Sequence, residues 1–536
     1  MPAMNIPEKF LEANRAFWLK YASMPSRHLL LLEESKLGAL AHVHGVCCVL
    51  LHQSRGLTPC CLGSDKDADF YRSFVPVAQS KTISPITKVF RIYLIITSAF
   101  KFLHLWWTGN ILGFSYDGIR YGDLIYDEYL ARFQVATIRR IDFGLFRIIR
   151  DLLVRHQKIY RTLRSDSFEA ALVSHQVGIR SGVILRVALK YGYHVYLCNS
   201  LQDFSLIEMR STEDAYNSPY APTRADINTI LRVFDDEKMG KAFRYEFDRQ
   251  VTGKGNINAA YAYSSKNKLY ANREEFSKDF GLDCTKKNIF IMLHAMTDFP
   301  HSHFRSRMLF RDYYDWFYRT LIYAKTDTSV NWIFKQHPSI AYYPTKDVDF
   351  DALFEEVPPN VVFISGDHQI DTRSLSSCAD CIITCLGSAG FELPAMAGIP
   401  SIVAGESEYS GYGFTLEPKS IPDYFRLLST LHKLPSLTQE QGRRAQAMYL
   451  YTHKLCLGTL SCCKNLSLHE QKSGQSDPFW NAILELYERK KDTIYSEMRE
   501  YISQLSLDAC TKLPPFDISL HKFMSEIHST APELHT

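Results

Sequence analysis

A glycine-rich turn in the C-terminal half carries residue types that bind phosphate. Residues 381–405 read CIITCLGSAGFELPAMAGIPSIVAG, an apolar run followed by Gly387, Ser388 and Gly390 and then by apolar residues at helical spacing. A helix that begins on such a turn presents free N–H groups and the positive end of its dipole. We therefore predict a phosphate site at Ser388, with Glu392 in the first helical turn as an acceptor for ribose hydroxyls.

Two cationic side chains follow another apolar run upstream of this turn. Residues 332–338 read WIFKQHP, so Lys335 and His337 stand at the end of a predicted strand that Pro338 stops. Parallel strands end at one edge of a sheet, and ligands of open α/β folds bind there. Lys335, His337 and the Ser388 turn together predict a pocket for a nucleotide monophosphate or diphosphate.

Three candidate bases lie in the N-terminal half. Residues 114–123, FSYDGIRYGD, combine glycines, an arginine, Asp117 and Asp123, a density that suits a binding loop. Residues 170–175, AALVSH, predict a strand that ends at His175. A carboxylate or an imidazole at such a position activates a hydroxyl by taking its proton, so we predict Asp117, Asp123 and His175 as catalytic residues.

Each of these motifs also has a structural interpretation, which the sequence leaves open. The glycine-rich turn then serves close packing of a helix on a sheet, and Glu392 only favours the helix N-terminus. The two aspartates belong to an ordinary surface turn, and His175 is a structural histidine. For Lys335 and His337 the alternative is a solvated strand end.

The pattern of apolar runs predicts an α/β fold. Predicted strands cover 29–32, 170–175, 194–197, 288–294, 332–338, 361–364, 381–385 and 401–404, and Glu33 and Glu34 follow the first. Predicted helices cover 6–21, 178–191, 312–323, 388–397 and 479–505. This alternation indicates parallel sheets covered on both faces, and a length of 536 residues indicates two domains.

The composition is that of a globular protein, with 46% hydrophobic and 22% charged residues. A net charge of +3 is too small to indicate a nucleic-acid partner. Residues 81–165, however, hold 14 Lys and Arg against 6 Asp and Glu, which predicts contact with an anionic acceptor or a peripheral membrane contact. The alternative is a solvated helical face.

The cysteines and the N-terminus indicate a cytoplasmic protein. The 13 cysteines lack the paired spacing of a zinc site, so buried thiols in a reducing compartment are expected. The N-terminal residues MPAMNIPEKF show no secretory signal.

Residues 89–109 come nearest to a membrane segment. Arg91, Lys101 and His104 interrupt them, so the uncharged run is too short to span a bilayer. We expect a buried helix by default. The alternative is an interfacial helix with Trp106 and Trp107 at the lipid headgroups.

Six segments together point to a known class of enzymes. They are KQHP at 335–338, LGSAGFE at 386–392, AGIP at 397–400, YSGYG at 409–413, GIRYGDLIYD at 118–127 and SH at 174–175. The combination resembles the GT-B glycosyltransferases of bacterial capsular polysaccharides and surface carbohydrates, including the Kdo transferases, over residues 25–430. Related teichoic-acid polymerases carry Thr-Asp-Tyr-Ser-Ser where this chain has TCLGS at 384–388, and that departure favours a sugar donor.

The resemblance implies two Rossmann-like domains facing a cleft, with a long C-terminal helix that crosses back toward the first domain. It implies an acceptor domain at 1–240, a connecting segment at 241–285, a nucleotide-sugar domain at 286–475, and the crossing helix with a tail at 476–536. The implied donor contacts are Lys335, His337, Ser388, Gly390 and Glu392, with Tyr412 and Gly413 beside the sugar. No metal or other cofactor is implied, because the helix dipole and cations neutralise the leaving phosphate.

We therefore predict a cytoplasmic glycosyltransferase at the inner face of the membrane. It moves a sugar from a nucleotide-sugar donor to a surface glycan or a lipid-linked acceptor. Two alternatives stay open: a glycerol-phosphate-type phosphotransferase of the same fold, and a non-catalytic component of polysaccharide assembly or export.

Overall fold

A computed structural model describes residues 6–19, 28–33, 38–62, 65–81, 86–198, 203–252, 267–302, 307–341, 343–368, 370–459, 477–489 and 512–529. The strands in these ranges are β1 (His28–Leu32), β2 (Leu57–Leu62), β3 (Gln79–Lys81), β4 (Ser115–Tyr116), β5 (Ile119–Arg120), β6 (Phe168–Val173), β7 (His194–Leu197), β8 (Asp203–Phe204), β9 (Leu206–Met209), β10 (Asn288–Met292), β11 (Asn331–Lys335), β12 (Val361–Ile364), β13 (Cys381–Thr384), β14 (Ser401–Val403), β15 (Thr415–Leu416), β16 (Gly458–Thr459) and β17 (Lys512–Leu513).

The α-helices in the same ranges are α1 (Glu8–Trp18), α2 (Gly38–Arg55), α3 (Asp65–Arg72), α4 (Lys88–Thr108), α5 (Gly122–Phe133), α6 (Phe143–Ser165), α7 (Val183–Lys190), α8 (Arg224–Val233), α9 (Asp236–Val251), α10 (Arg273–Asp279), α11 (Tyr313–Ala324), α12 (Phe350–Phe354), α13 (Ser374–Cys378), α14 (Ala389–Ala397), α15 (Ile421–Leu428), α16 (Gln439–Leu450), α17 (Asp477–Arg489) and α18 (Phe516–Ser529). A π-helical turn, Gly178–Gly182, leads directly into α7.

The chain forms two compact units. Unit 1 comprises Met1–Ile125, Asp142–Asn217 and Leu455–Ser525, and unit 2 comprises Tyr126–Ile141, Ser218–Lys454 and Glu526–Thr536. The predicted domain boundaries at 240 and 285 stay a prediction.

Unit 1 is built on a seven-stranded sheet with the order β17-β9-β7-β6-β1-β2-β3. The five strands from β7 to β3 run parallel, whereas β9 and β17 are antiparallel to their neighbours. The order reverses between β1 and β6, which lie side by side. Strands β1 and β2 are almost continuously buried, as expected for strands covered by helices on both faces.

Unit 2 is built on a six-stranded parallel sheet with the order β12-β11-β10-β13-β14-β15. Numbered along the chain, this is the order 3-2-1-4-5-6 of the dinucleotide-binding fold, which reverses between β10 and β13. Large side chains such as Trp316 on α11 and Trp332 on β11 are fully buried in its core. The predicted α/β fold with two Rossmann-like units is therefore confirmed.

Helix α14 contains a proline in its interior, and the structure shows how the proline is accommodated. Pro394 has no N–H to donate to the carbonyl of Gly390, one turn earlier. The hydroxyl of Ser401, at the start of β14, donates to that carbonyl at 2.7 Å instead. Gly398 ends the helix with a left-handed φ of 63°, as its position in the sequence predicts.

The default expectation for residues 89–109 is wrong. They form α4, but only 17% of its most apolar window is buried. Among the described helices, α4 is long and apolar enough to cross a membrane by length and composition. The predicted helix at 479–505 is present as α17 up to Arg489, and its remainder lies outside the described residues.

Candidate functional site

The strand order of unit 2 reverses between β10 and β13, and the residues after these two strands form the first candidate site. Ligands of open α/β sheets bind beyond the carboxyl ends of the strands at such a reversal. His294 follows β10, and its Nε2 accepts a hydrogen bond from the Leu386 N–H at 3.2 Å. The same nitrogen lies 3.1 Å from Thr384 Oγ1, and the ring stacks on Tyr313. Because Nε2 is an acceptor, the neutral His294 ring carries its proton on Nδ1.

The turn after β13 offers backbone donors to an anion. Among the residues that the structure describes, the N–H groups of Ser388 and Ala389 have no acceptor, whereas the Gly390 N–H donates to the Gly387 carbonyl at 3.0 Å. The Ser388 hydroxyl makes no capping hydrogen bond. Two N–H groups and the positive end of the α14 dipole thus lie at the reversal of the sheet, as the sequence predicts.

Lys335 is the last residue of β11 and pairs with Met292 at the end of β10. Burial lowers the pKa of its ammonium group. Within the described ranges, Lys335 makes no ion pair. A partly buried cation without a counter-charge is costly, and an anionic ligand would offset that cost. The strand order therefore brings Lys335 and the Ser388 turn to one edge of the sheet, and His337 lies two residues beyond Lys335.

Gly390 has a packing role. A Cβ atom at this position would lie 2.2 Å from the Tyr409 hydroxyl oxygen, which is far inside contact distance. That hydroxyl donates to the Gly387 carbonyl at 2.6 Å. The side-chain space at Gly390 is thus taken by a tyrosine that holds the turn, and its N–H is already paired. Gly390 therefore serves the packing of the helix on the sheet. Among the described residues, the N–H groups of Ser388 and Ala389 have no acceptor and can bind an anion.

We expect Gly390→Ala to lower the free energy of unfolding by about 1–3 kcal/mol, because the added methyl group displaces Tyr409. Urea unfolding of the full chain measures this change. Gly442→Ala on α16 is the matched control: its Cβ would meet nothing within 4 Å, so a gain of about 0.5–1 kcal/mol is expected. Equal stability of the two variants would contradict the packing role.

Glu392 lies in the first turn of α14, as predicted. Its Oε1 is 3.2 Å from the His453 Nε2. The carboxylate therefore has a partner within unit 2, and a ribose contact at Glu392 stays a prediction.

Tyr412 and Gly413 are not brought to the reversal of the sheet. They lie two and three residues before β15, which runs parallel to β14, and therefore toward the amino ends of the strands. The Tyr412 hydroxyl donates to the Pro222 carbonyl at 2.8 Å. Gly413 has a left-handed φ of 84°, and its carbonyl accepts from the Gln441 side chain at 3.2 Å. Their resemblance to sugar-binding residues is not matched by their position in the sheet.

In unit 1, a buried carboxylate lies where the strand order reverses between β1 and β6. Glu33 follows β1 and is 5% exposed. Its Oε2 accepts from the backbone N–H of Ser174 at 2.7 Å and from the Ser174 hydroxyl at 2.9 Å. Its Oε1 accepts from the Ser181 hydroxyl at 2.6 Å and lies 3.8 Å from Arg180 Nε. Both carboxylate oxygens of Glu33 thus accept hydrogen bonds.

This carboxylate orients His175 through the intervening serine. The His175 Nδ1 lies 2.8 Å from the Ser174 hydroxyl oxygen. Because that hydroxyl donates its only proton to Glu33, it accepts from His175, whose Nδ1 must then carry the proton. The lone pair of the neutral ring is consequently on Nε2. Burial lowers the pKa of His175, and the charge of Glu33 raises it in part.

Asp117 stands at the tip of the β4–β5 hairpin with a left-handed φ of 53°. The Tyr191 hydroxyl donates to its carboxylate, and His156 Nε2 lies 3.3 Å from the same oxygen. Burial lowers the pKa of His156, and Asp117 counteracts that shift. Asp117 thus holds the hairpin against α6 and α7.

Asp123, in the first turn of α5, neutralises a buried arginine. Arg186 is 2% exposed and donates to both carboxylate oxygens of Asp123, at 2.7 and 2.5 Å. It also donates to the Arg120 carbonyl at 2.6 Å. A bidentate pair of this kind fixes the carboxylate as a counter-ion, which leaves His175 as the candidate base with an unused lone pair.

Sequence reasoning did not assign roles to His294, Glu33 and Ser174. All three lie just after strands that border a reversal of strand order: Glu33 and Ser174 directly follow β1 and β6, and His294 is the second residue after β10. In the sequence, each is a polar residue after an apolar run. Among the described residues, no group of three or more His, Cys, Asp and Glu side chains is arranged to hold a metal ion. The expectation that no metal or cofactor is bound stays a prediction.

No protein-family model and no curated protein matches the chain. Among solved structures, KpsC of Thermosulfurimonas dismutans, a beta Kdo 2,4 transferase, is 11% identical with a TM-score of 0.30, over 55% of this chain and 85% of that one. The UDP-GlcNAc 2-epimerase of Neisseria meningitidis is 11% identical with a TM-score of 0.25, over 79% of this chain and 98% of that one. The rhamnosyltransferase SpnG is 10% identical with a TM-score of 0.26, over 79% of this chain and 95% of that one.

The assignment of the fold class rests on the two sheets and their strand orders.

Proposed function

We propose that the protein is a glycosyltransferase that moves a sugar from a nucleotide-sugar donor to a surface glycan or a lipid-linked acceptor. The observation that carries the proposal is the reversal of strand order in unit 2. There the unpaired backbone donors after β13 and Lys335 at the end of β11 lie at the carboxyl ends of the two strands that flank β10. The proposal assigns donor binding to unit 2 and acceptor activation to unit 1.

Donor binding rests on three groups that favour negative charge. The N–H groups of Ser388 and Ala389 lie at a helix N-terminus, and Lys335 adds its amino group at the same edge of the sheet. As the bond from the anomeric carbon to the phosphate oxygen breaks, these groups stabilise the charge that develops on the leaving nucleotide. We propose that they serve in place of a metal ion, so that a chelator leaves the activity unchanged.

Acceptor activation rests on His175. Its Nε2 takes the proton of the acceptor hydroxyl while the hydroxyl oxygen attacks the anomeric carbon, and Glu33 stabilises the resulting imidazolium through Ser174. A cavity of about 360 Å³ lies at the carboxyl ends of β1 and β2, and Leu32 and Ile179, the neighbours of Glu33 and Arg180, line it. We assign this cavity to the acceptor.

Thermal unfolding with a panel of CMP, UDP, GDP, ADP and CDP-glycerol tests donor binding. A nucleotide at about 100 times its dissociation constant is expected to add about 2.7 kcal/mol to the free energy of unfolding. Lys335→Met is expected to weaken the binding of that nucleotide at least about tenfold, because a charge-assisted hydrogen bond is lost. Without nucleotide, the same variant is expected to be as stable as the wild type or more stable, because the unpaired buried charge is gone.

Lys346→Met provides the control, since this lysine is exposed in unit 2. It should leave nucleotide stabilisation unchanged. Selective stabilisation by CDP-glycerol would favour the phosphotransferase, and no response to any of the five compounds would favour the non-catalytic component.

A further inference from the structure

Helix α4 turns an apolar face to solvent. Six apolar residues recur at intervals of three and four positions along its whole length, and their side chains are 49% to 85% exposed. We call them the α4 stripe: Val89, Ile92, Ile96, Phe100, Leu103 and Trp107. Single exposed apolar side chains are common on protein surfaces, but a continuous stripe of this length is not.

The helix is oriented opposite to an ordinary surface helix. Its buried residues, Leu94, Ser98 and Leu105, lie on the side away from the stripe, and one of them is polar. The Ser98 hydroxyl donates a hydrogen bond to the Leu94 carbonyl, one turn earlier in the same helix, at 2.7 Å. The fold therefore places the more polar side of α4 against the protein and the more apolar side outward.

Polar contacts hold α4 to unit 1. Lys101 Nζ donates to the Ser115 carbonyl at 3.1 Å, and the Arg161 guanidinium lies over the Phe90 ring at 4.6 Å. At the end of α4, Phe102 contacts Phe146 of α6 at 5.9 Å between ring centroids. These contacts keep the helix lying along unit 1, so that the stripe faces outward as a surface.

The charged residues of α4 itself are all positive. Residues 88–108 contain no aspartate or glutamate, and Lys88, Arg91 and Lys101 are their charged residues. Apolar contact continues from Phe102 and Phe146 to Phe143, which stacks on Phe146 and carries Arg147 over its ring. An apolar stripe on a helix whose only charged residues are cationic complements a surface that is apolar inside and anionic at its edge.

We propose that the α4 stripe docks unit 1 onto an anionic lipid bilayer, with α4 lying in the plane of the headgroups. The stripe enters the boundary between headgroups and acyl chains, and Trp106 and Trp107 lie at the headgroup level. Lys88 and Arg91 contact lipid phosphates, because long cationic side chains reach from an apolar face to the headgroups. This inference does not depend on the proposed transfer reaction.

Co-sedimentation of the full chain with phosphatidylcholine vesicles, with and without phosphatidylglycerol, tests the proposal. We expect strong binding to the anionic vesicles and weaker binding without phosphatidylglycerol. The double variant Phe100→Gln with Trp107→Gln is expected to lower the partition coefficient between water and vesicles at least about tenfold. The reason is that two large apolar side chains are no longer transferred from water into the bilayer. Lys88→Gln and Arg91→Gln are each expected to cost about fivefold on anionic vesicles alone.

Tyr318→Gln with Ile322→Gln is the matched control, since these residues are an exposed apolar pair on α11 of unit 2, 41% and 48% exposed. It should bind vesicles like the wild type. Wild-type binding by the stripe variant would overturn the proposal. So would binding that resists alkaline carbonate, which indicates a spanning helix, or a stripe variant that changes only self-association, which indicates a second copy as the partner.

Discussion

His175→Ala is expected to lower kcat about 10²- to 10⁴-fold, the range that general base catalysis contributes. The substitution removes the Nε2 lone pair, which the hydrogen bond from His175 Nδ1 to Ser174 holds in its basic form. Thermal stability is expected to stay near that of the wild type. Initial rates of sugar transfer, with the donor whose nucleotide stabilises the protein, measure the effect.

The pH dependence of kcat provides a second readout. The base acts in its neutral form, so the rate falls as the pH drops through the pKa of His175. Burial lowers that pKa below its usual 6.5, so the rate is expected to stay constant through neutral pH and to fall only in acid. Because the charge of Glu33 raises this pKa, Glu33→Gln is expected to move the acid limb to still lower pH.

A purely structural Glu33 would lower the rate without moving the acid limb. An unchanged kcat in His175→Ala, together with a large loss in Asp117→Asn, would reassign the base to Asp117.

Asp123→Ala is expected to lower the free energy of unfolding by about 3–5 kcal/mol, because it leaves Arg186 buried without its counter-charge. Urea unfolding and the midpoint of thermal unfolding measure the loss. Restoring neutrality in Asp123→Ala with Arg186→Met is expected to recover most of it, since the penalty comes from the unpaired guanidinium and not from lost contact area.

Asp117→Asn is the control for this experiment. Its side chain is 41% exposed, and asparagine tolerates the left-handed φ of 53°, so a change below about 1 kcal/mol is expected. If Asp123→Ala kept the wild-type stability but lost kcat, Asp123 would be the catalytic base that the sequence first suggested.

Much of the fold was predictable because its signals are local. The apolar run at 361–364 is observed as β12 over the same residues, and the strand at 194–197 is observed as β7. The start of α14 after Ser388 and its end at Gly398 follow from turn chemistry within a few residues. Such signals depend on neighbours along the chain, and a single sequence contains them in full.

The candidate site was only partly predictable. Lys335 and the Ser388 turn were expected together because parallel strands end at one edge, and strand order confirms that β11, β10 and β13 are neighbours. Tyr412 and Gly413 were grouped with them by their resemblance alone, but they precede a strand instead of following one. Asp123 looked catalytic because its partner, Arg186, lies far away in the sequence.

By itself, the sequence determined the α/β class, the alternation of strands and helices, and the glycine-rich turn that begins α14, because periodicity and turn residues act over short distances. Only the tertiary structure decided which strands adjoin at the two reversals of strand order. It thereby identified His294 and Glu33 as candidate site residues, because they follow two of those strands. It also decided that Asp123 is a counter-ion and that α4 carries its apolar side outward. These properties depend on which distant residues meet, and that is set by packing of the whole unit.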